Sequence, residues 1–332
     1  MPPTAQERGK VLVLTLGGTI AMTRSSAGMS GVRPRLTGAD LVAAVPALEP
    51  VAEIQVEDFR QLPGASLTYD DIGSLARRLN EAAAEGVAGM VVTQGTDTLE
   101  ETAFVLDLYY EGRAPVVLTG AMRHPESAGA DGPANLLAAV RTAVCPAARD
   151  LGALVVMADE IHAARHIRKA DSISPNAFAS PGAGPIGRVV EGTPRFHFSL
   201  RRFPAVPSAR TWSARVEVIA AALGSDGSLL AGLEQRLDGV VVAAFGAGHV
   251  PASWVKPLEE LAGRIPVVLT SRTGGPVLSA TYGFEGSESD LLSRGLVSGG
   301  MLDPYKARLL LLARLNSGAD RAAVVAGFED RC

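Results

Sequence analysis

The sequence predicts an α/β protein of two domains, each built on a mostly parallel sheet with helices on both faces. Three observations carry that prediction. Apolar runs of strand length alternate with helical patterns. The strands read as unbroken apolar segments, the mark of strands buried on both faces. The alternation lapses after Ser180 and resumes near Arg215, which marks a boundary.

In chain order, strands are expected at 10–16, 89–93, 115–119 and 152–157, with helices at 70–84, 99–110 and 133–143 between them. Past Ser180 lies a Gly/Pro-rich tract, PGAGPIG, then a polar, arginine-rich stretch to about 210 with room for short strands. A second alternating set follows at 215–222, 237–244 and 265–270, with a helix at 304–315. The expected division is an N-terminal catalytic domain at 1–192, a linker at 193–212 and a smaller C-terminal domain at 213–332.

At 332 residues, with 47% hydrophobic and 20% charged side chains, the chain can bury a sizeable core. A formal charge of −4 gives no footprint for nucleic acid or an anionic membrane. Apolar runs are strand-sized, so no span of a bilayer is expected. The polar start MPPTAQERGK has no apolar h-region, so the expectation is no secretory signal and a cytoplasmic location. Two cysteines, and five histidines without HExxH spacing, argue against a metal site. No cofactor is expected.

Chemistry concentrates in two segments. In the first, residues 89–103, a buried strand stops at Gly95 and presents Thr96 and Asp97 at the mouth of a helix. Thr98 and Glu101 have capping-box spacing, and Glu100 and Glu101 suit the first turn. The carboxyl end of a strand is where an open α/β sheet places its ligand. In the second, LGGTIA at 16–21, an apolar strand ends in glycines and Thr19. It lacks both the dinucleotide fingerprint and the phosphate-loop Gly-Lys-Ser/Thr, so a dehydrogenase is a distant reading. Alone, either threonine reads as a helix cap.

Together, LGGTIA and TQGTDTLEETA closely resemble the signature segments of the bacterial-type L-asparaginase family. The resemblance continues in family order through PVVLTGAMR (115–123), ADGPAN (130–135), LVVM (154–157) with Lys169, and LDPYKAR (302–308). It implies a larger doubly wound N-terminal domain, a smaller flavodoxin-like C-terminal domain, and an amidohydrolase that converts asparagine, or glutamine, to the acid and ammonia. By that resemblance Thr19 is the nucleophile, and Thr96, Asp97 and Lys169 form a hydrogen-bonded relay. A free threonine hydroxyl is a poor nucleophile and needs such a base beside it. Asp97 is also expected to bind the substrate's α-amino group.

Further binding residues implied are Ala121; Ser66, about two positions from the family serine; and Glu288, reaching a neighbouring subunit's site, with Glu285 as runner-up. Ser66 could instead cap the helix near Tyr69, and 286–290 could be a solvated loop. Arg165 reads as structural, and His249 is left unassigned. The resemblance also implies a homotetramer, a dimer of dimers, with sites at subunit interfaces.

One departure concerns the segment after Thr19, where relatives carry a tyrosine that contacts the nucleophile. Here Met29 or Gly31 takes that place, and no tyrosine precedes Tyr69. Thr23, Ser25, Ser26 and Ser30 are the hydroxyls nearby. Two alternative readings therefore stand beside the first: the same threonine chemistry on a bulkier amide, or a weakly active relative that senses an amino acid.

Overall fold

The computed structural model describes residues 9–24, 32–34, 36–209 and 211–329. The chain divides into two compact units, Met1–Ala205 and Val206–Cys332.

The first unit contains strands β1 (Lys10–Thr15), β2 (Met22–Arg24), β3 (Val32–Pro34), β4 (Glu53–Asp58), β5 (Gly89–Thr93), β6 (Val116–Thr119) and β7 (Ala153–Met157). Then come β8 (Glu160–Ala163), β9 (Arg168–Lys169), β10 (Phe178–Ala179), β11 (Gly187–Val190) and β12 (Thr193–Phe196). Its helices are α1 (Gly38–Ala43), α2 (Tyr69–Ala84), α3 (Leu99–Tyr109) and α4 (Gly132–Ala143). One sheet has the order β12-β11-β8-β7-β6-β5-β1-β4. The five strands from β4 to β7 are parallel, whereas β8, β11 and β12 run antiparallel at one edge.

Strands β1, β5, β6 and β7 are buried along nearly their whole length, as their apolar runs require. On one face Val13, Val91, Val117 and Val156 pack with Leu136, Ala139 and Val140 of α4. On the other, α3 lies against β6 and β7 and packs on α2. Residues 193–196, which the sequence suggested would start the linker, form β12 and complete this sheet.

The second unit is a parallel sheet, β13 (Val216–Ala220), β14 (Gly239–Ala244), β15 (Val267–Ser271) and β16 (Val297–Ser298) in that order. Helix α5 (Ala252–Ala262) buries Trp254, Val255 and Leu258 against Val240, Val242 and Leu269. Two further helices, α6 (Glu288–Ser293) and α7 (Pro304–Asn316), follow, and α7 packs on β13, β14 and β15. The chain does not end its helical part at α7: α8 (Arg321–Glu329) packs against it. Its burial of Val324 and Phe328 explains an amphipathic segment that the sequence reading passed over.

Candidate active site

Three loops at the carboxyl ends of β1, β4 and β5 are drawn together by main-chain contact. The Leu16 N–H donates to the Thr93 carbonyl at 2.9 Å, and the Leu62 N–H donates to the Leu16 carbonyl at 3.0 Å. Gly18 has φ 91° and ψ −176°, a conformation essentially reserved for glycine. It also lies flat on the next loop: a Cβ there would sit 2.1 Å from Gly95 N and 2.3 Å from Gly95 Cα. Thr19 and Thr96 each follow this seam by one residue, so two segments some 75 residues apart meet there. Thr19, half-buried, opens a 3-10 turn, Thr19–Ala21, whose Ile20 and Ala21 are buried.

Thr96 is buried and receives a hydrogen bond from Lys169 Nζ at 3.0 Å. The same Nζ donates to Asp97 Oδ1 at 2.9 Å. The lysine side chain is 18% exposed, against 67% for Asp97, so a half-buried Lys169 has a solvent-facing partner. It sits on β9, which pairs with β10 with Phe178 opposite Lys169. Its own N–H donates to the Glu100 carboxylate.

The expected Thr98 cap is not made. Thr98 occupies the N-cap position of α3, but its side chain caps nothing. Its hydroxyl instead donates to the Gly64 carbonyl at 2.9 Å and accepts from Gln94 Nε2 at 3.0 Å. The gain is a link between loops. This bond fastens the loop that carries Ser66 to the Thr96 segment. Ser66, exposed, ends the turn Gly64–Ser66 and does not cap α2; Thr68 does so, in a capping box with Asp71.

Ala121 is buried beside Gly120, and this stretch is held by the ADGPAN segment. Asp131 accepts from the Met122 and Arg123 N–H groups, both at 2.9 Å. Asn135 Nδ2 donates to the Gly120 carbonyl at 3.0 Å, while its Oδ1 accepts from Ala158 N–H at 3.0 Å. Asp131, Asn135, Gln94 and Glu100 were not singled out from sequence as site residues. Asp131, Asn135 and Glu100 act on main chain and Gln94 on the Thr98 hydroxyl; the signal that could have found Glu100 was its spacing from Asp97, three residues on, at the start of a helix. Arg165 stacks its guanidinium 4.6 Å from the Phe203 ring centroid, a structural role.

Glu288 lies in the second unit. It opens α6 and is fully buried, so 286–290 is not a solvated loop. Its Oε1 accepts from the Thr281 and Tyr282 N–H groups at 2.9 and 2.8 Å. Its Oε2 lies 3.1 Å from His249 Nε2. Burial pushes this carboxyl up, but the main-chain donors and His249 outweigh it and hold the group below its ordinary value. An ionised carboxylate only accepts, so His249 Nε2 is the donor. The imidazole meets Tyr282 and Phe284 edge-on, with centroids 4.8 and 4.9 Å away. Glu285 is exposed.

Met29, Gly31, Ser25, Ser26 and Ser30 lie outside the described residues. Among the described residues, no group of three His, Cys, Asp or Glu could hold a metal ion. Among them too, no helix is long and apolar enough to cross a membrane.

Fold and site together define a two-unit α/β protein with paired threonines and a lysine–carboxylate couple at the mouth of a parallel sheet. Residues 10–202 match the family described as Asparaginase, N-terminal, and residues 215–328 match the Glutaminase/Asparaginase C-terminal domain. The chain belongs to the asparaginase family. It is 40% identical over 317 residues to a probable L-asparaginase of Deinococcus radiodurans, covering 94% of each chain. An L-asparaginase of Bacillus licheniformis is 32% identical, over 93% of this chain and 96% of that one. The crystal structure of a probable cytoplasmic L-asparaginase from Campylobacter jejuni superposes with a TM-score of 0.85. It is 31% identical, over 97% of this chain and 99% of that one.

Proposed function

We propose that the protein is an amidohydrolase that cleaves the side-chain amide of asparagine or glutamine by threonine chemistry. The observation that carries the reading is Lys169 Nζ bridging Thr96 Oγ1 and Asp97 Oδ1, one residue past the Gly18–Gly95 seam. Thr19 Oγ1 attacks the amide carbon and the C–N bond breaks, with ammonia leaving and an ester left on Thr19. Water then cleaves that ester, returning the hydroxyl and releasing the acid. The relay serves by moving protons. When neutral, Lys169 accepts the Thr96 hydroxyl proton; when charged, it donates to Thr96 and Asp97.

Asp97, largely exposed beside the lysine, is placed to receive the substrate's ammonium. Ser66 and Ala121 would border the substrate. Glu288, with both oxygens held inside its own unit, would serve by shaping the 281–284 loop. One methylene separates asparagine from glutamine and is worth about 1–3 kcal/mol in such a pocket. The lack of a tyrosine before Tyr69 favours a second reading, turnover of a bulkier amide.

The family resemblance supports a homotetramer built as a dimer of dimers, and the likeness to the Campylobacter jejuni protein supports a cytoplasmic location. Ammonia release from a panel of amides, with mass spectrometry of trapped enzyme, tests the chemistry. Substrate-derived mass is expected on the Thr19 peptide, and full activity in Thr19→Ala would end the proposal. Light scattering tests assembly, and a fully active monomer would refute it.

A further inference from the structure

The proposed relay, on which this inference rests, requires the lysine amine at a set place. Its own side-chain contacts do not secure that. A lysine has a flexible four-carbon stem, and one hydroxyl plus one exposed carboxylate can be met from several backbone positions. The main chain of β9 is fixed by other means. On one side it pairs with β10, and the Ala170 N–H donates to the Ala177 carbonyl at 2.7 Å. Directly after β10, buried Ser180 is pinned by His162 Nδ1 at 2.9 Å. On the other side, the Lys169 N–H donates to the carboxylate of Glu100 in the first turn of α3.

We propose that Glu100 is a positioning residue: by accepting the Lys169 main-chain N–H, it locks β9 in register with the start of α3 and so sets where Nζ meets Thr96. Thr96, Asp97 and Glu100 fall within one short segment, so a single rigid piece of backbone receives the lysine at three points. The N-terminal turn of a helix is also a favourable place for a carboxylate acceptor. The plain alternative is that Glu100 only balances the helix dipole. That role would affect stability and leave turnover at temperatures well below melting untouched.

The test is steady-state ammonia release from L-asparagine by the full chain, with melting temperatures measured alongside. Variants are Glu100→Leu, Glu100→Gln, Lys169→Met and the double Glu100→Leu/Lys169→Met. A displacement near 1 Å costs up to about 100-fold. Glu100→Leu is therefore expected to lower kcat about 10- to 100-fold with KM within about threefold. Glu100→Gln keeps a carbonyl acceptor and should stay within about fivefold of the parent. In the Lys169→Met background, Glu100→Leu should add no further loss. Should the leucine variant fail to fold, Glu100→Asp, one methylene shorter, carries the same expectation. Unchanged kcat in Glu100→Leu, or an equal loss in the Lys169→Met background, overturns the inference. Wild-type kcat in Lys169→Met would instead sink the relay reading itself.

Discussion

Substituting Gly18 by alanine should damage both fold and activity, because two independent costs fall on the same atom. The residue has φ 91° and ψ −176°, where an L side chain is strained by about 1–3 kcal/mol. The added Cβ would sit 2.1 Å from Gly95 N, 2.3 Å from Gly95 Cα and 2.8 Å from Gln94 C. All three are main-chain atoms, so no side chain can swing aside. Lengthening the 2.1 Å contact to an ordinary 3.4 Å opens the seam by 1.3 Å. Overpacking of this kind adds about 1–3 kcal/mol. Together they predict a loss of about 2–6 kcal/mol, and at about 2–4 °C per kcal/mol for a unit of this size the melting point drops by roughly 4–24 °C. The same opening separates Thr19 from Thr96 by about 1 Å, which predicts a fall of about 100-fold in kcat/KM below the melting range. Calorimetry and an ammonia assay on Gly18→Ala read both. A variant that melts within about 1 °C of the parent and keeps half its activity would refute the seam as the device that aligns the threonines.

His162 supplies a pH dependence. Burial pushes its imidazole below its ordinary 6.5, against the pull of Glu160, so the unfolded chain binds the proton first. Stability should therefore fall as pH drops below about 6.5, separately from the carboxylates whose losses lie lower, and His162→Gln should flatten that part of a denaturation series. An unchanged slope would count against it. Glu288→Ala strips the acceptor from the Thr281 and Tyr282 N–H groups and from His249, at about 1–3 kcal/mol. Hydrogen exchange at Thr281 and Tyr282 should speed up, and parental protection there would show the loop is held otherwise. Met29→Tyr or Gly31→Tyr should raise kcat/KM for asparagine, by up to the roughly 10²–10⁴ that a placed acid or base contributes. No gain in either would show that the missing phenol is not what limits this chain.

The strands and helices nearest the site were legible because periodicity and burial agree there. Strand β5 was read as 89–93 and is Gly89–Thr93. Helix α3 was expected at 99–110 and runs Leu99–Tyr109. The antiparallel edge was less so, since β8, β11 and β12 are only four residues each, and β11 and β12 are half-exposed with a composition that resembles loop. Helix α5 was hidden by Pro257 within it. In the site, Thr96, Asp97 and Lys169 were named from sequence, and the structure brings them together. What sequence could not show is which groups hold the main chain. Thr98 looked like a cap and became a bridge to Gly64, because a hydroxyl takes the acceptor that tertiary packing brings near. For Glu288 the sequence offers a reach into a neighbouring site or a solvated loop, whereas the partners it has within its own unit, two backbone N–H groups and His249, are invisible to composition.

Energetics decides what kind of contact the lysine–aspartate couple is. A pair with one partner 67% exposed is screened, and such pairs contribute about 0–1 kcal/mol. That is too little to hold a flexible lysine against solvent. The groups around it are of another kind: the ladder to β10, the Ser180–His162 bond, and the Glu100 acceptor all bear on β9 or its partner strand. Asp97 is thereby free of a structural duty, and its exposure becomes useful. A carboxylate needed to hold the lysine could not also open to an incoming ammonium. A carboxylate whose lysine is fixed by other means can exchange partners at small cost. The arrangement separates holding from binding, and it predicts that Asp97→Ala raises KM far more than it lowers melting temperature. A shift of several degrees with unchanged KM would show the couple to be structural after all.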